Sequence, residues 1–241
     1  MEAKAILMAP TNTENPTSIE SDDPRVARPV LTLSETAAYL GMPKSTIQAW
    51  ASVANGNPPL ITRFPQRGRE ATVPFIGFAE AYVLSAFRRA GVPLQRIRPA
   101  VEVLSSTMGV DHALASRRLY TDGAEVLYDY GIRGDGDRLV DLVVVRTQQH
   151  QFSDLVKDYL KRIQYGADGW ATAVRLPPYR HAEVVIDPEV AFGLPVVRGT
   201  RVEDLVDRFQ AGDSMAEIAA DFDVSPAELE DVIRVATRAA A

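Results

Sequence analysis

The chain has no cysteine among its 241 residues, which removes disulfides, thiolate zinc sites and cysteine nucleophiles together. Histidine is almost as scarce. His112, His150 and His181 are the only three, and none has another at the spacing that gathers two imidazoles on one helix face, so no metal site is expected. There is no phosphate-binding G-x-x-x-x-G-K-(S/T), no nucleophile elbow G-x-S-x-G and no H-E-x-x-H. The sequence therefore predicts neither an enzyme nor a cofactor. No apolar run reaches the roughly 18 residues that a membrane span needs, and residues 1–24 carry one lysine and no long apolar stretch. Neither a span nor a signal peptide is expected, and a cytoplasmic protein is.

What is present is an ordinary globular composition with an uneven charge. Hydrophobic residues make up 46% and charged residues 24%, as in a protein with a sizeable core. The length allows one or two domains, and the pattern favours two. The net charge of −6 hides an asymmetry. Residues 25–100 hold ten Arg or Lys against three Glu, a balance of +7, whereas residues 101–241 hold 15 basic and 24 acidic residues, a balance of −9. A basic front half on an acidic chain is the footprint of a DNA-binding module joined to a protein-binding one.

The front half carries the matching pattern. After a disordered lead-in over residues 1–28, the run LTLSETAAYLGMPKSTIQAWAS from Leu31 predicts a helix capped by Ser34, a turn at Gly41 and a second helix over Lys44 to Ala51. Ile47 and Trp50 face inward at i, i+3. Lys44, Ser45, Thr46 and Gln48 are left on the outer, N-terminal part of the second helix, where a recognition helix meets phosphates and base edges. The following LITRFPQRGREATVPF predicts two strands around a basic tip, a wing whose Arg63, Arg67 and Arg69 suit backbone phosphates or the minor groove. A helix pair follows, with Arg88, Arg89, Arg96 and Arg98 as further phosphate contacts. This order, with R-R-A-G-V-P-L-Q-R-I-R in the helix pair, resembles the winged helix-turn-helix domain of MerR-type regulators, here over residues 29–112. The resemblance implies a homodimer that reads a pseudo-palindromic operator DNA.

Residues 113–180 read as a connecting region of β-hairpins and one helix. The Gly-Asp-Gly-Asp run at 134–137 reads as a turn, since it lacks the spaced ligands and closing Glu of an EF-hand. Phe152 to Gln164 predicts an amphipathic helix, with Leu155, Val156, Tyr159, Leu160 and Ile163 on one face. Trp170 to Val174 and Glu183 to Ile186 predict short strands.

The last part, residues 181–241, has the most specific pattern. Gly193 and Gly199 bracket the apolar run Leu194 to Val197, which suits an extended segment closed by turns. Thr200 is placed to cap the next helix, where Val202, Leu205, Val206 and Phe209 recur at helical spacing and Gly212 ends the run. Ser214 with Glu217, and Ser225 with Glu228 and Pro226, read as two capping boxes. The result is a three-helix, homeodomain-like module in an α+β, mainly helical chain.

Asp187, Pro188, Gly193, Pro195, Gly199, Thr200, Arg201, Gly212, Ser214, Glu217 and Ile218 stand on the pattern of unknown-function family 433, and this segment resembles that family over about a fifth of the chain. It departs at Leu194, where Lys is usual, and at Glu203, where Pro is common. The resemblance implies a VapB-like antitoxin of a type II toxin-antitoxin system, paired with a PIN-type ribonuclease toxin and repressing its own operon. Such a toxin holds Mg²⁺ in an acidic cluster, which an antitoxin silences by covering the cleft or by inserting an arginine. Arg198, Arg201, Arg234 and Arg238 are the candidates, though Arg201 reads equally well as a helix-start residue bonded within the chain. A MerR-like, ligand-responsive regulator without a toxin partner is the alternative.

Overall fold

The structure, a computed structural model, describes residues 18–53, 56–91, 97–99, 101–102, 105–106, 109–119, 156 and 158–239. The hairpins expected between 120 and 150, Leu155 and Arg96 lie outside the described residues.

The front half is built around one helix. Helix α4 (Phe75–Arg89) is buried at every position from Phe75 to Phe87, as an element apolar on all sides must be. Around it pack α1 (Pro24–Ala27), β1 (Pro29–Leu31), α2 (Leu33–Leu40) and β2 (Val73–Pro74). A 3-10 turn, Ala113–Ala115, also lies against it. Helix α3 (Lys44–Trp50) packs on α2. The lead-in expected to be disordered to residue 28 is ordered at its end, because α1 packs on α4 and Asp23 caps it by accepting the Arg25 N–H at 2.8 Å.

The structure differs from two local expectations. The cap of α2 is Thr32, not Ser34: Thr32 Oγ1 accepts the Glu35 N–H at 3.1 Å, and Glu35 accepts the Thr32 N–H at 2.7 Å. The wing is not a two-stranded hairpin. Its second arm, β2, pairs antiparallel with β1 at the start of the domain, Leu31 opposite Val73. The two arms share the Phe64 N–H to Thr72 carbonyl bond at 2.7 Å.

The back half is an antiparallel meander followed by three helices. Strands β3 (Ile163–Tyr165), β4 (Ala171–Arg175), β5 (Val184–Ile186), β6 (Val196–Val197) and β7 (Thr200–Arg201) lie in sequence order. Helices α5 (Val202–Gln210), α6 (Met215–Asp221) and α7 (Pro226–Ala239) follow and pack on one another. Both expected capping boxes form: Ser214 and Glu217 exchange bonds at 3.2 and 3.0 Å, Ser225 and Glu228 at 3.3 and 2.9 Å.

Thr200 does not cap α5. It pairs with Val197 across the β6–β7 turn, and Arg201 stands at the helix start without a side-chain cap. The turn residues Arg198 (φ 50°) and Gly199 (φ 82°) are both left-handed, the arrangement that matches the twist of a two-residue hairpin. The helix expected to reach Gln164 has ended before it, because Ile163 and Gln164 belong to β3, opposite Val174 and Ala173. The sheet thus begins near residue 163, inside the segment expected to be a connector.

One continuous apolar core runs from Leu31 to Ile233. Across the halves, Arg25 pairs with Asp168 at 2.5 Å and the Tyr82 hydroxyl donates to the Tyr159 carbonyl at 3.1 Å. Among the described residues no helix is long and apolar enough to cross a membrane.

Candidate nucleic-acid interface

The helix-turn-helix geometry follows from a few local bonds. Gly41 ends α2 in the left-handed region (φ 59°), with its N–H on the Ala38 carbonyl at 3.1 Å and the Met42 N–H on the Ala37 carbonyl at 2.9 Å. A glycine adopts this backbone without the strain that most side chains would add. The last carbonyl of α2, Leu40, accepts from Arg89 Nη2 at 2.8 Å. Arg89, expected as a phosphate contact, is therefore committed to holding α2 on α4. Arg98 likewise bonds the Pro58 carbonyl.

Helix α3 buries Ile47 and Trp50 fully. That fixes its roll and leaves Lys44, Ser45 and Gln48 exposed and Thr46 half-buried. Its end is tied to the wing, since the Trp50 carbonyl accepts the Leu60 N–H at 2.7 Å and the Ile61 N–H at 3.3 Å. The wing closes on a turn with Gly68 at φ 60°, braced by the Gln66 side chain on the Gly68 carbonyl at 2.7 Å. Arg67 and Arg69 are exposed and Arg63 half-buried. Among the described residues Lys44, Arg63, Arg67 and Arg69 make no side-chain hydrogen bond or ion pair.

The cations of the back half differ in this respect. Arg198 pairs with Glu228 at 3.1 Å and Arg201 grips Asp204 with two nitrogens at 3.0 and 2.5 Å. Arg208 bridges Asp213 and Asp221 and lies over the Phe222 ring, 5.7 Å from its centre. Arg234 pairs with Asp231. The side chain of Arg238 lies outside the described residues. Exposed pairs such as Arg201–Asp204 are screened by solvent and exchange readily. The Arg234 pair is different, because its carboxylate is 1% exposed.

Asp231 is a joint that sequence reasoning missed. One oxygen, Oδ2, accepts the backbone N–H groups of Arg180, His181 and Ala182 at 2.5, 2.7 and 3.1 Å, and Oδ1 takes Arg234. Burial works against the charge, but the three N–H donors and Arg234 outweigh it and lower the Asp231 pKa. The bond ties α7 to the loop before β5. Glu80, also missed, is the only charged residue from Phe75 to Phe87. A charge in an otherwise apolar helix must find partners, and that was its signal.

The glycines and prolines of the last module hold its backbone. Gly193 (φ 83°) sits so close to β1 that a Cβ there would lie 2.7 Å from Val30 Cγ1. The Pro195 carbonyl accepts the Val202 N–H at 2.9 Å, closing the hairpin onto α5.

Comparison with known proteins finds one family match in each half of the chain. Residues 29–101 match the family described as "Putative DNA-binding HTH domain", and residues 184–236 match "Protein of unknown function (DUF433)". A Mycobacterium tuberculosis protein named "Putative antitoxin VapB45" is 42% identical over 222 residues, covering 85% of this chain and 92% of that protein. The crystal structure of Rv2018 from Mycobacterium tuberculosis aligns with a TM-score of 0.73 at 40% identity, over 85% of this chain and 97% of that one. An identity of this size over nearly the full length of the relative, with a helix-turn-helix domain at the front and a DUF433 module at the back, places this chain in the VapB45 family.

Proposed function

We propose that the chain is the antitoxin of a type II toxin-antitoxin pair, which represses its own operon through the front half and binds its toxin through the back half. The observation that carries the DNA side is the contrast between cations. Among the described residues Lys44 of α3 and Arg63, Arg67 and Arg69 of the wing have no internal partner, whereas the described arginines of the last module are paired with carboxylates. Unpaired cations beside exposed Ser45 and Gln48 suit phosphates and base edges. In this reading the domain works as MerR-type domains do, as a homodimer on two half-sites.

In this reading the partner is a PIN-type ribonuclease, as the family resemblance implies; the Mycobacterium tuberculosis relative, named a putative antitoxin, supports a toxin partner. Of the four candidate arginines, Arg198, on the β6–β7 turn, and Arg201, at the end of β7, are the better ones for the toxin cleft, because their partners can be replaced by water or a toxin group. Arg234 is the weaker candidate in this reading, because entering the cleft would break its bond to buried Asp231. The ligand-responsive alternative needs an enclosed apolar pocket. The cavity of about 320 Å³ between α1 and the 188–192 loop is lined by Pro24, Arg28, Pro188, Glu189, Ala191 and Phe192, and Phe192 on its rim is 77% exposed.

The test is co-expression with the adjacent gene product, pull-down, and growth with and without this chain. A stable complex that relieves toxicity supports the antitoxin reading; no complex and no toxicity moves the weight to a ligand-responsive regulator. On the DNA side, Arg67→Ala with Arg69→Ala should lower the slope of log K against log salt by about two, one per lost phosphate contact.

A further inference from the structure

We propose that the buried pair Glu80 and His112 positions the wing for its contact with DNA. The proposal rests on the DNA-binding reading and adds to it two residues, neither of them on the DNA-facing surface. Glu80 is 5% exposed, and a carboxylate so placed needs donors. It has two. Its Oε2 accepts the Thr62 N–H at 2.6 Å, and its Oε1 lies 2.8 Å from His112 Nδ1. The same His112 nitrogen is 3.1 Å from Thr62 Oγ1. Both bonds therefore converge on Thr62, the residue immediately before Arg63.

Thr62 is also held from one turn earlier on the same helix. A Cβ on Gly77 would lie 2.1 Å from the Thr62 carbonyl oxygen, so the wing's first arm rests on the bare backbone of α4. Gly77 sets how closely the arm approaches, and Glu80 sets where its N–H points. His112 is fixed in turn. Its backbone is left-handed (φ 53°), and its ring meets Trp170 edge-on with centres 6.4 Å apart. Trp170 is 1% exposed and bridges to Ser116 just before β4, so the seat of the wing extends into the sheet of the back half. A wing held at its root presents Arg63, Arg67 and Arg69 in one direction. Without the two bonds at Thr62, ordering the arm becomes part of the free energy of binding DNA.

The test uses the full chain and a labelled duplex taken from the DNA immediately upstream of its own coding sequence, titrated by fluorescence anisotropy over a salt series. Glu80→Gln and His112→Asn are compared with the wild type, each alone and combined with Arg67→Ala. Asparagine at 112 tolerates the left-handed backbone and leaves the Glu80–Thr62 bond in place, so it gives the reading even if Glu80→Gln does not fold. The expected result is a folded variant, by circular dichroism, that binds roughly five-fold more weakly, the size of one exposed ion pair, with the salt slope reduced by about one. The penalty of Arg67→Ala should shrink in either background, because an arm that is no longer aimed has less to lose. A purely structural role for the pair would lower the melting temperature and leave that penalty unchanged. Folded variants with wild-type affinity, or an Arg67→Ala penalty equal in all backgrounds, overturn the proposal. A wild-type chain that does not bind the duplex overturns the DNA-binding reading, and this proposal with it.

Discussion

Replacing the buried Asp231 by alanine should destabilise the last module strongly. The side chain satisfies three consecutive backbone donors, from Arg180 to Ala182, and holds Arg234 on its other oxygen. In the alanine variant the Arg180 and His181 amides belong to exposed residues that water can reach, but Ala182 is buried. An unsatisfied buried N–H costs about 1–3 kcal/mol, and the charge-assisted bonds lost with it add about 1–2 kcal/mol net. A total near 3–4 kcal/mol corresponds to a fall in melting temperature of about 6–16 °C for a chain of this size. Thermal unfolding followed by near-ultraviolet circular dichroism measures it, and a shift of a degree or two would refute the ledger. The pH dependence supplies a second reading. Because the folded pKa of Asp231 is lowered, its contribution is fully present above the ordinary carboxyl value of about 3.9 and is lost as pH falls through the lower folded value. Asp231→Asn should therefore flatten the acid limb of the stability curve.

Three further outcomes are expected. Gly193→Ala forces a left-handed backbone on alanine and a close contact with Val30 Cγ1; about 2–3 kcal/mol should be lost in denaturant melts. Ser214→Ala should cost about 1 kcal/mol by removing a cap, while Thr200→Ala should cost clearly less, since the Thr200 residue lies in β7 and caps nothing; equal losses would restore Thr200 as a cap. His112 has a raised pKa: burial opposes its charge, but the hydrogen bond and charge of Glu80, helped by Asp111, outweigh it. The stability difference between wild type and His112→Asn should thus be full below the ordinary value of about 6.5 and decline as pH rises through the higher folded value, a trend that urea melts across that range would show.

The features legible in the sequence were those decided within one turn of chain. The Ser214–Glu217 and Ser225–Glu228 caps, the Gly41 turn and the inward Ile47 and Trp50 all depend on neighbours three or four residues away. Thr32 with Glu35 has the same cap spacing as these, and the neighbouring Ser34 competes with it as a cap in the sequence alone. The illegible features depend on distant partners. Nothing near Val73 says that it pairs with Leu31 rather than across the wing, and nothing near Thr200 says that Val197 takes it into a strand. The end of the helix before β3 was missed because an apolar stripe reads the same until a partner strand, here Val174, claims Ile163. At the interface, the free cations of the wing and α3 were readable as types. That Arg89 and Arg98 are spent on the carbonyls of Leu40 and Pro58 was not.

The meander from β3 to β7 has a practical consequence for anyone who isolates the last module. The family match begins at residue 184, at the first residue of β5, whereas the sheet begins at Ile163. A fragment cut at 184 would strip β4 from β5 and bare the amide edge beside the fully buried Val184 and Ile186. Bare apolar edges recruit strands from other molecules, so such a fragment should aggregate or swap strands, and its oligomers would be artefacts of the cut. A fragment meant to report on the partner of this module has to keep the hairpin from Ile163 to Arg175.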